Sequence, residues 1–414
     1  MWFIIGIIFI VLFPIIEIFN MPLLLILPIG FILFVIQQRK MLFPIKVNSL
    51  KSIIPIEYTV GLSLSAAYFI IHAVVLYLFE GNLSIKDLSY FTFPLFYLFL
   101  ILIFMYSKNN IEILKVYFYV NILIVLAIFI VPSLSHFIKV YYELYAKGPI
   151  ASPSTAISAI ISRPSGLLVH PSLLSFTIYL IGKYLSVKIP KYKYWFLGLS
   201  LITIVASSGR AALLILLFIE GISFILKGKS IKRKIVRAVS ALIVVMGLFV
   251  ALYFISPFFN WWINLTLEDL YYGNGFRSHS IEHRLDMFGW LFDEQANVLN
   301  FLFGGRLTMD TLSSLGISYI DSEFVMRILQ FGLVGYLLLA MPFFVFYYRA
   351  RKLKHKPFMA FGLFMIMFVF LGSLTTTIMT KMVLVLISSM VIGMCEREMR
   401  KHVAKEEVEI RSLT

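Results

Sequence analysis

Apolar stretches long enough to cross a bilayer recur along nearly the whole chain, separated by short polar or basic segments. A helix needs roughly 20 apolar residues to traverse about 30 Å of hydrocarbon, and about twelve stretches approach that length. They run from Trp2 to Phe19, Met21 to Ile36, Tyr58 to Phe79, Ser89 to Tyr106, Val116 to Val131 and Pro171 to Val187. The remainder run from Tyr194 to Ser208, Ala211 to Leu226, Ala238 to Pro257, Phe324 to Tyr348, Phe358 to Thr376 and Met382 to Met394. The pattern predicts an all-α, polytopic integral membrane protein with residues 1–414 in a single transmembrane domain. The first two spans form a tight hairpin around Glu17, Asn20 and Pro22, and Pro28 interrupts the short second one. Without that second span, everything upstream would invert.

Composition agrees with the pattern. Hydrophobic residues make up 60% of the chain and charged residues 14%, a balance that one water-soluble core cannot bury. The N-terminus has no basic region and no small-residue cleavage site after its first apolar run, so no signal peptide is expected.

Orientation follows from the basic residues, because loops rich in Lys and Arg stay in the cytosol. Gln37–Lys51, Lys183–Lys193, Lys227–Arg237, Arg349–Lys356 and the 395–414 tail are basic and alternate correctly with the spans. Together with Lys108 and Lys115 they hold 26 of the 36 Lys and Arg, leaving 10 on the outer side. Both termini are therefore expected in the cytosol, and the net charge of +15 reads as a topology signal with no nucleic-acid partner. The inner set has 18 Lys and 8 Arg, whereas the outer set has 4 Lys and 6 Arg. Arginine's planar fork stays charged in partly dry surroundings and grips phosphate with two bonds, so the reversed ratio points to an outer anionic ligand. Pairing with outer carboxylates is the alternative.

Two outer segments exceed simple turns. Residues 132–170 hold Tyr141, Tyr142 and Tyr145 and then a Gly/Pro/Ser stretch, and 258–320 form the largest polar insertion. Within the latter, Ile281, Leu285, Phe288 and Phe292 recur at helical spacing, predicting a helix along the membrane surface near Trp261, Trp262 and Trp290.

Several chemistries find no support. The single Cys395, at the inner end of the last span, excludes an intramolecular disulfide and a cysteine-rich metal centre. His279 and His283 flank Glu282 in an order that differs from the zinc-protease pattern, and interfacial polarity explains them. No glycine-rich phosphate loop is present and no cytosolic segment is long enough for a nucleotide-binding fold. Neither a metal nor another cofactor is expected.

Three segments carry the remaining chemistry, and the topology places all of them on the outer face. The first, from Ser162 and Arg163 through Gly166 to His170 and Pro171, opens the sixth span. The second, Ser207-Ser208-Gly209-Arg210, joins the seventh and eighth. The third joins the ninth and tenth, running from Glu282, Arg284 and Asp286 through Gly304, Gly305 and Arg306 to Asp321, Glu323, Arg327, Gly332 and Gly335.

In this order the segments resemble the O-antigen ligase and Wzy-type polysaccharide polymerase superfamily. The likeness covers Arg163 to Gly335, while the first five spans share only their apolar character. The ligase branch is expected to carry histidine where this chain has Asp321, which favours the polymerase branch. The resemblance implies a membrane glycosyltransferase that polymerises undecaprenyl-diphosphate-linked oligosaccharide repeat units at the outer leaflet, building O-antigen, capsule or exopolysaccharide. Its partners would be that lipid-linked donor and acceptor and the membrane lipids, with a chain-length regulator as an open further partner.

On this reading Asp321 takes the acceptor proton, and Arg210 and Arg284 join it as catalytic groups by stabilising the leaving diphosphate. Arg163, Arg277, Arg306, His170, Glu323 and Gly166 form the substrate-binding set. For each arginine the alternative is snorkelling to lipid headgroups, and for Asp321 it is an N-cap. Glu323 stands four residues before Arg327, the favourable order for a pair on one helix face. Glu220, deep within a span, serves either function or a polar contact between helices. A ligase, or a flippase for lipid-linked oligosaccharide, remains the alternative activity; a transporter should place charge along a path open to both faces.

Overall fold

The protein is described by a computed structural model covering residues 55–80, 90–106, 110–131, 171–207, 210–226, 230–255, 260, 264, 288–289, 298–304, 322–376 and 378–413. All regular structure among these residues is helical. The longer elements are α1 (Ile56–Glu80), α2 (Thr92–Tyr106), α3 (Asn110–Ile130), α4 (Pro171–Lys188), α5 (Lys193–Ala206), α6 (Arg210–Leu226) and α7 (Ile231–Ile255). They continue with the short α8 (Val298–Phe303), then α9 (Glu323–Leu339), α10 (Met341–Lys352), α11 (Lys356–Ser373) and α12 (Met382–Leu413).

Length and apolarity suit four stretches to a membrane crossing: Ile56–Leu78, Ile111–Ile128, Glu323–Lys352 and Lys356–Ser373. Thr92–Tyr106 and Ala212–Ile225 are shorter apolar helices. The first two predicted spans, the 132–170 loop and most of 258–320 lie outside the described residues. From Tyr58 onward every predicted span coincides with helix, with two differences of detail. The tenth is divided between α9 and α10, and the last helix runs on through the polar tail to Leu413. That tail, Glu396 to Leu413, intersperses acidic and basic residues along the helix.

Helix ends follow local chemistry. Pro55 precedes α1 and its carbonyl accepts from Tyr58 N at 3.0 Å. Pro171 opens α4, where a missing N–H costs nothing. At α11, His355 is the N-cap, its Nδ1 accepting from Phe358 N at 3.4 Å.

Close packing relies on small residues where backbones approach. The α2 helix lies along α12, and a Cβ on Gly393 would stand 2.7 Å from the Ile101 carbonyl. Between α10 and α11, a Cβ on Gly362 would meet the Tyr347 Cα at 3.1 Å. The interior is aromatic, with Phe104, Phe118, Phe176, Phe343 and Phe346 fully buried. The periphery is apolar too: Leu78 is 74% exposed and Phe254 is 79% exposed, as suits helices embedded in lipid.

Polar side chains gather at the two ends of this bundle. At one end Arg349 Nε donates to both Glu396 oxygens at 2.9 and 3.0 Å, and its Nη1 donates to Glu57 at 2.7 Å. Tyr58 donates to Glu396 at 3.1 Å and Lys352 to Glu57 at 2.9 Å. Lys188 pairs with Glu398, and Arg400 donates to Tyr106 at 3.2 Å. All of these come from segments at or next to those that charge assigns to the cytosol. Glu220 is paired as well: Lys183 of α4 bonds it across to α6, which is the helix-to-helix polar contact among its two readings.

Candidate functional site

The opposite end brings together helices that the three segments open or close. Ser175, in the first turns of α4, lies with its Oγ 3.2 Å from that of Ser207, which closes α5. Phe176 packs edge-on against Phe368 of α11, ring centroids 5.3 Å apart. Five residues on, the carbonyl of Ser373 accepts from Ser322 at 3.2 Å. The start of α4, the Ser207 turn and the start of α9 are thus linked at one end of the bundle. Arg210 is the first residue of α6 after that turn.

Ser322 caps α9. Its backbone is extended, with φ −85° and ψ 112°, and its Oγ accepts from Val325 N at 3.3 Å. The N-cap role open to Asp321 is therefore filled by its neighbour.

Glu323 follows, fully buried. Its Oε2 accepts from Ile378 N at 2.5 Å and Met379 N at 2.7 Å, and its Oε1 accepts from Thr380 N at 3.1 Å and Thr380 Oγ1 at 2.6 Å. One carboxyl group thereby satisfies three backbone donors in the turn between α11 and α12, donors that would otherwise be costly at this depth. Arg327 Nε stands 3.7 Å away, so the pair with Arg327 is the weaker of its contacts. Glu323 here anchors a turn and leaves little capacity for a sugar.

Arg327 is 3% exposed. Its Nη1 donates to Tyr90 Oη at 2.6 Å and Gln330 Oε1 at 2.7 Å, and its Nη2 donates to Thr380 Oγ1 at 2.8 Å. The Thr380 hydroxyl relays between the two charges, accepting from Arg327 while donating to Glu323. Tyr90 adds its ring, 4.5 Å from the guanidinium carbon, an attractive cation–π distance. Arg327 Nε and Gln330 Nε2 have no hydrogen-bond partner among the described residues. Buried donors are nearly always satisfied, so this cluster retains unused donor capacity.

Immediately beyond Gln330 the helix breaks. Gly332 has φ 69° and ψ 177°, a region open essentially to glycine alone. Tyr68 Oη of α1 reaches the freed Phe331 carbonyl at 2.6 Å and the Phe303 carbonyl of α8 at 3.2 Å. His72, one turn further along α1, lies at the same junction, its ring 5.2 Å from that of Phe331. Phe331 is ringed by Phe69, His72 and Tyr90 at centroid distances of 5.1, 5.2 and 4.7 Å. Irregular backbone at such depth is tolerated where protein groups satisfy it or where it lines a polar site.

Of the residues singled out by sequence, Arg163, Gly166, His170, Arg277, Arg284, Arg306 and Asp321 lie outside the described residues, as does the side chain of Arg210. Phe288 of the expected surface helix is described, and its ring lies 6.4 Å from that of Phe324. Sequence reasoning missed Tyr68, His72, Tyr90, Gln330 and Thr380. Position offered a signal for Tyr90 and Thr380, polar side chains at or next to the ends of predicted spans, whereas Tyr68, His72 and Gln330 lie within spans. No family model and no curated protein sequence matches this chain.

Proposed function

We propose that this protein polymerises lipid-linked oligosaccharide repeat units at the outer leaflet of the cell membrane, transferring a glycan from undecaprenyl diphosphate to an acceptor sugar hydroxyl. The observation that carries the reading is that the helices adjoining the three segments, α4, α5 and α9, come together with α11 at one end of the bundle. Ser207 touches Ser175, and the start of α9 is tied to the end of α11 beside them. The motifs that resemble the polymerase superfamily adjoin these helix ends in sequence. The opposite end holds the basic segments expected in the cytosol.

The chemistry matches the residue types. The acceptor oxygen bonds to the anomeric carbon while its proton passes to the Asp321 carboxylate. The bond from that carbon to the diphosphate oxygen breaks, and its electron pair leaves with the diphosphate. Arg163, Arg210 and Arg284, with Arg277 and Arg306 nearby in sequence, offset the added negative charge. His170 and Gly166 complete the approach to the donor. Ser322, by capping α9 itself, leaves Asp321 without that duty. Glu323 and Arg327 support this end from within.

The test is reconstitution of purified protein in liposomes with one defined lipid-linked repeat unit. A ladder of longer lipid-linked products is expected. Transfer to a different acceptor with no ladder would identify a ligase, and movement of substrate across the bilayer with no new bond would identify a flippase.

A further inference from the structure

The short α8 helix poses a packing problem. None of its six residues is buried; Val298 is 69% exposed and Leu299 is 62% exposed. Phe301 is half-buried against the core and is its main apolar anchor. So little buried surface cannot fix a six-residue helix, and its position depends on something else.

That support is a contact of backbone on backbone. Gly304, directly after α8, has φ 101°, and a Cβ there would stand 2.6 Å from the Gln330 carbonyl oxygen and 2.8 Å from His72 Nε2. Reciprocally, a Cβ on Gly332 would overlap Gly304 N and the Leu302 carbonyl. The two glycines face each other with no side chain between them, both in conformations that other residues rarely adopt. Tyr68 holds the seat from a third side through the Phe303 and Phe331 carbonyls, and His72, four residues on along α1, packs its ring against Gly304 and Phe331. Three elements far apart in sequence converge on one break.

We propose that Tyr68 and His72 are positioning residues, fixing the Gly304–Gly332 seat and thereby the end of α8 against the Gln330 backbone. Arg306 follows Gly304 by two residues, so a shift of the seat carries its backbone along. The role in catalysis rests on the polymerase reading; the seat itself does not.

Two measurements separate them. Cysteines replacing the exposed Val298 and Leu78 accept spin labels, while the native Cys395 is buried. Pulsed electron-resonance distances between the labels should be narrow in the parent and broad in the Tyr68→Phe/His72→Phe double variant, which keeps an aromatic ring at each position but loses the Tyr68 hydroxyl and the imidazole nitrogens. Ladder extension at saturating donor should fall by about 10- to 100-fold in that variant, the scale of an ångström-sized misplacement, with normal membrane abundance. Tyr68→Phe alone, the milder change, should show the same broadening in lesser degree if the double variant folds poorly. An unchanged distance distribution in both variants would overturn the seat, and broadening with undiminished extension would overturn the positioning role. Broadening in a protein whose parent forms no ladder would keep the seat and discard the reaction.

Discussion

Asp321 and Glu323 are two residues apart and chemically alike, and the second is already engaged. Glu323 is buried and accepts three backbone N–H groups and one hydroxyl. Glu323→Gln turns one acceptor oxygen into a donor facing other donors, and leaves Arg327 without its buried counter-charge. The expected cost is about 3 kcal/mol, read as a lowered melting temperature and reduced membrane abundance. A variant that melts like the parent would show that the turn at 378–380 does not depend on this carboxylate. Asp321→Asn is predicted to behave differently: because Ser322 caps α9, melting should be unchanged, while chain extension is lost with the carboxylate. Extension at the parental rate would move the base elsewhere, with His170 next to be tried.

At the scale of elements, the junction of α10 and α11 carries a pH dependence. His355 caps α11 through an unprotonated Nδ1. Burial, and then the charge of neighbouring His402, hold it below the ordinary imidazole value of 6.5, with Glu398 opposing. Between that lowered value and 6.5 the unfolded chain binds more protons than the folded one, so stability falls as pH drops through this window and is level above it. His355→Asn keeps a capping oxygen without titrating, and should melt with a smaller loss between pH 7.5 and about 5.5. Equal losses in parent and variant would assign the dependence to other groups.

The helices themselves were legible because apolar length is a strong signal, although α3 and α7 begin several residues before the predicted spans and α12 runs far beyond Met394. The break at Gly332 was not, since glycine inside an apolar run reads equally as a packing residue. What distinguishes it is the Gly304 backbone pressed against it, a contact spanning 28 positions of sequence. Tyr90 and Thr380 escaped for the same reason: each is an ordinary polar residue near a helix end until Arg327 is brought to it from another helix. The Glu323–Arg327 spacing did foretell proximity, but not that the 378–380 backbone holds Glu323 more tightly.

For the whole molecule, charge sorting is the organising feature. One end of the bundle gathers Glu57, Arg349, Lys352, Glu396 and Lys188, and the other gathers Tyr90, Glu323, Arg327 and Thr380. Reporters fused after Arg233 and Lys354 are expected to read as cytosolic, and reporters within 273–305 as external. An inward-facing Arg284 would remove the basis for an outer-leaflet reaction.

Polymerisation itself is tested most directly by counting bonds. Purified protein in liposomes, supplied with one defined undecaprenyl-diphosphate-linked repeat unit and no nucleotide, is sampled over time for product length and for free undecaprenyl diphosphate. The account predicts a ladder spaced by one repeat unit, with one lipid diphosphate released for every new glycosidic bond. Repeat units that stay single, with no lipid diphosphate set free, would contradict it.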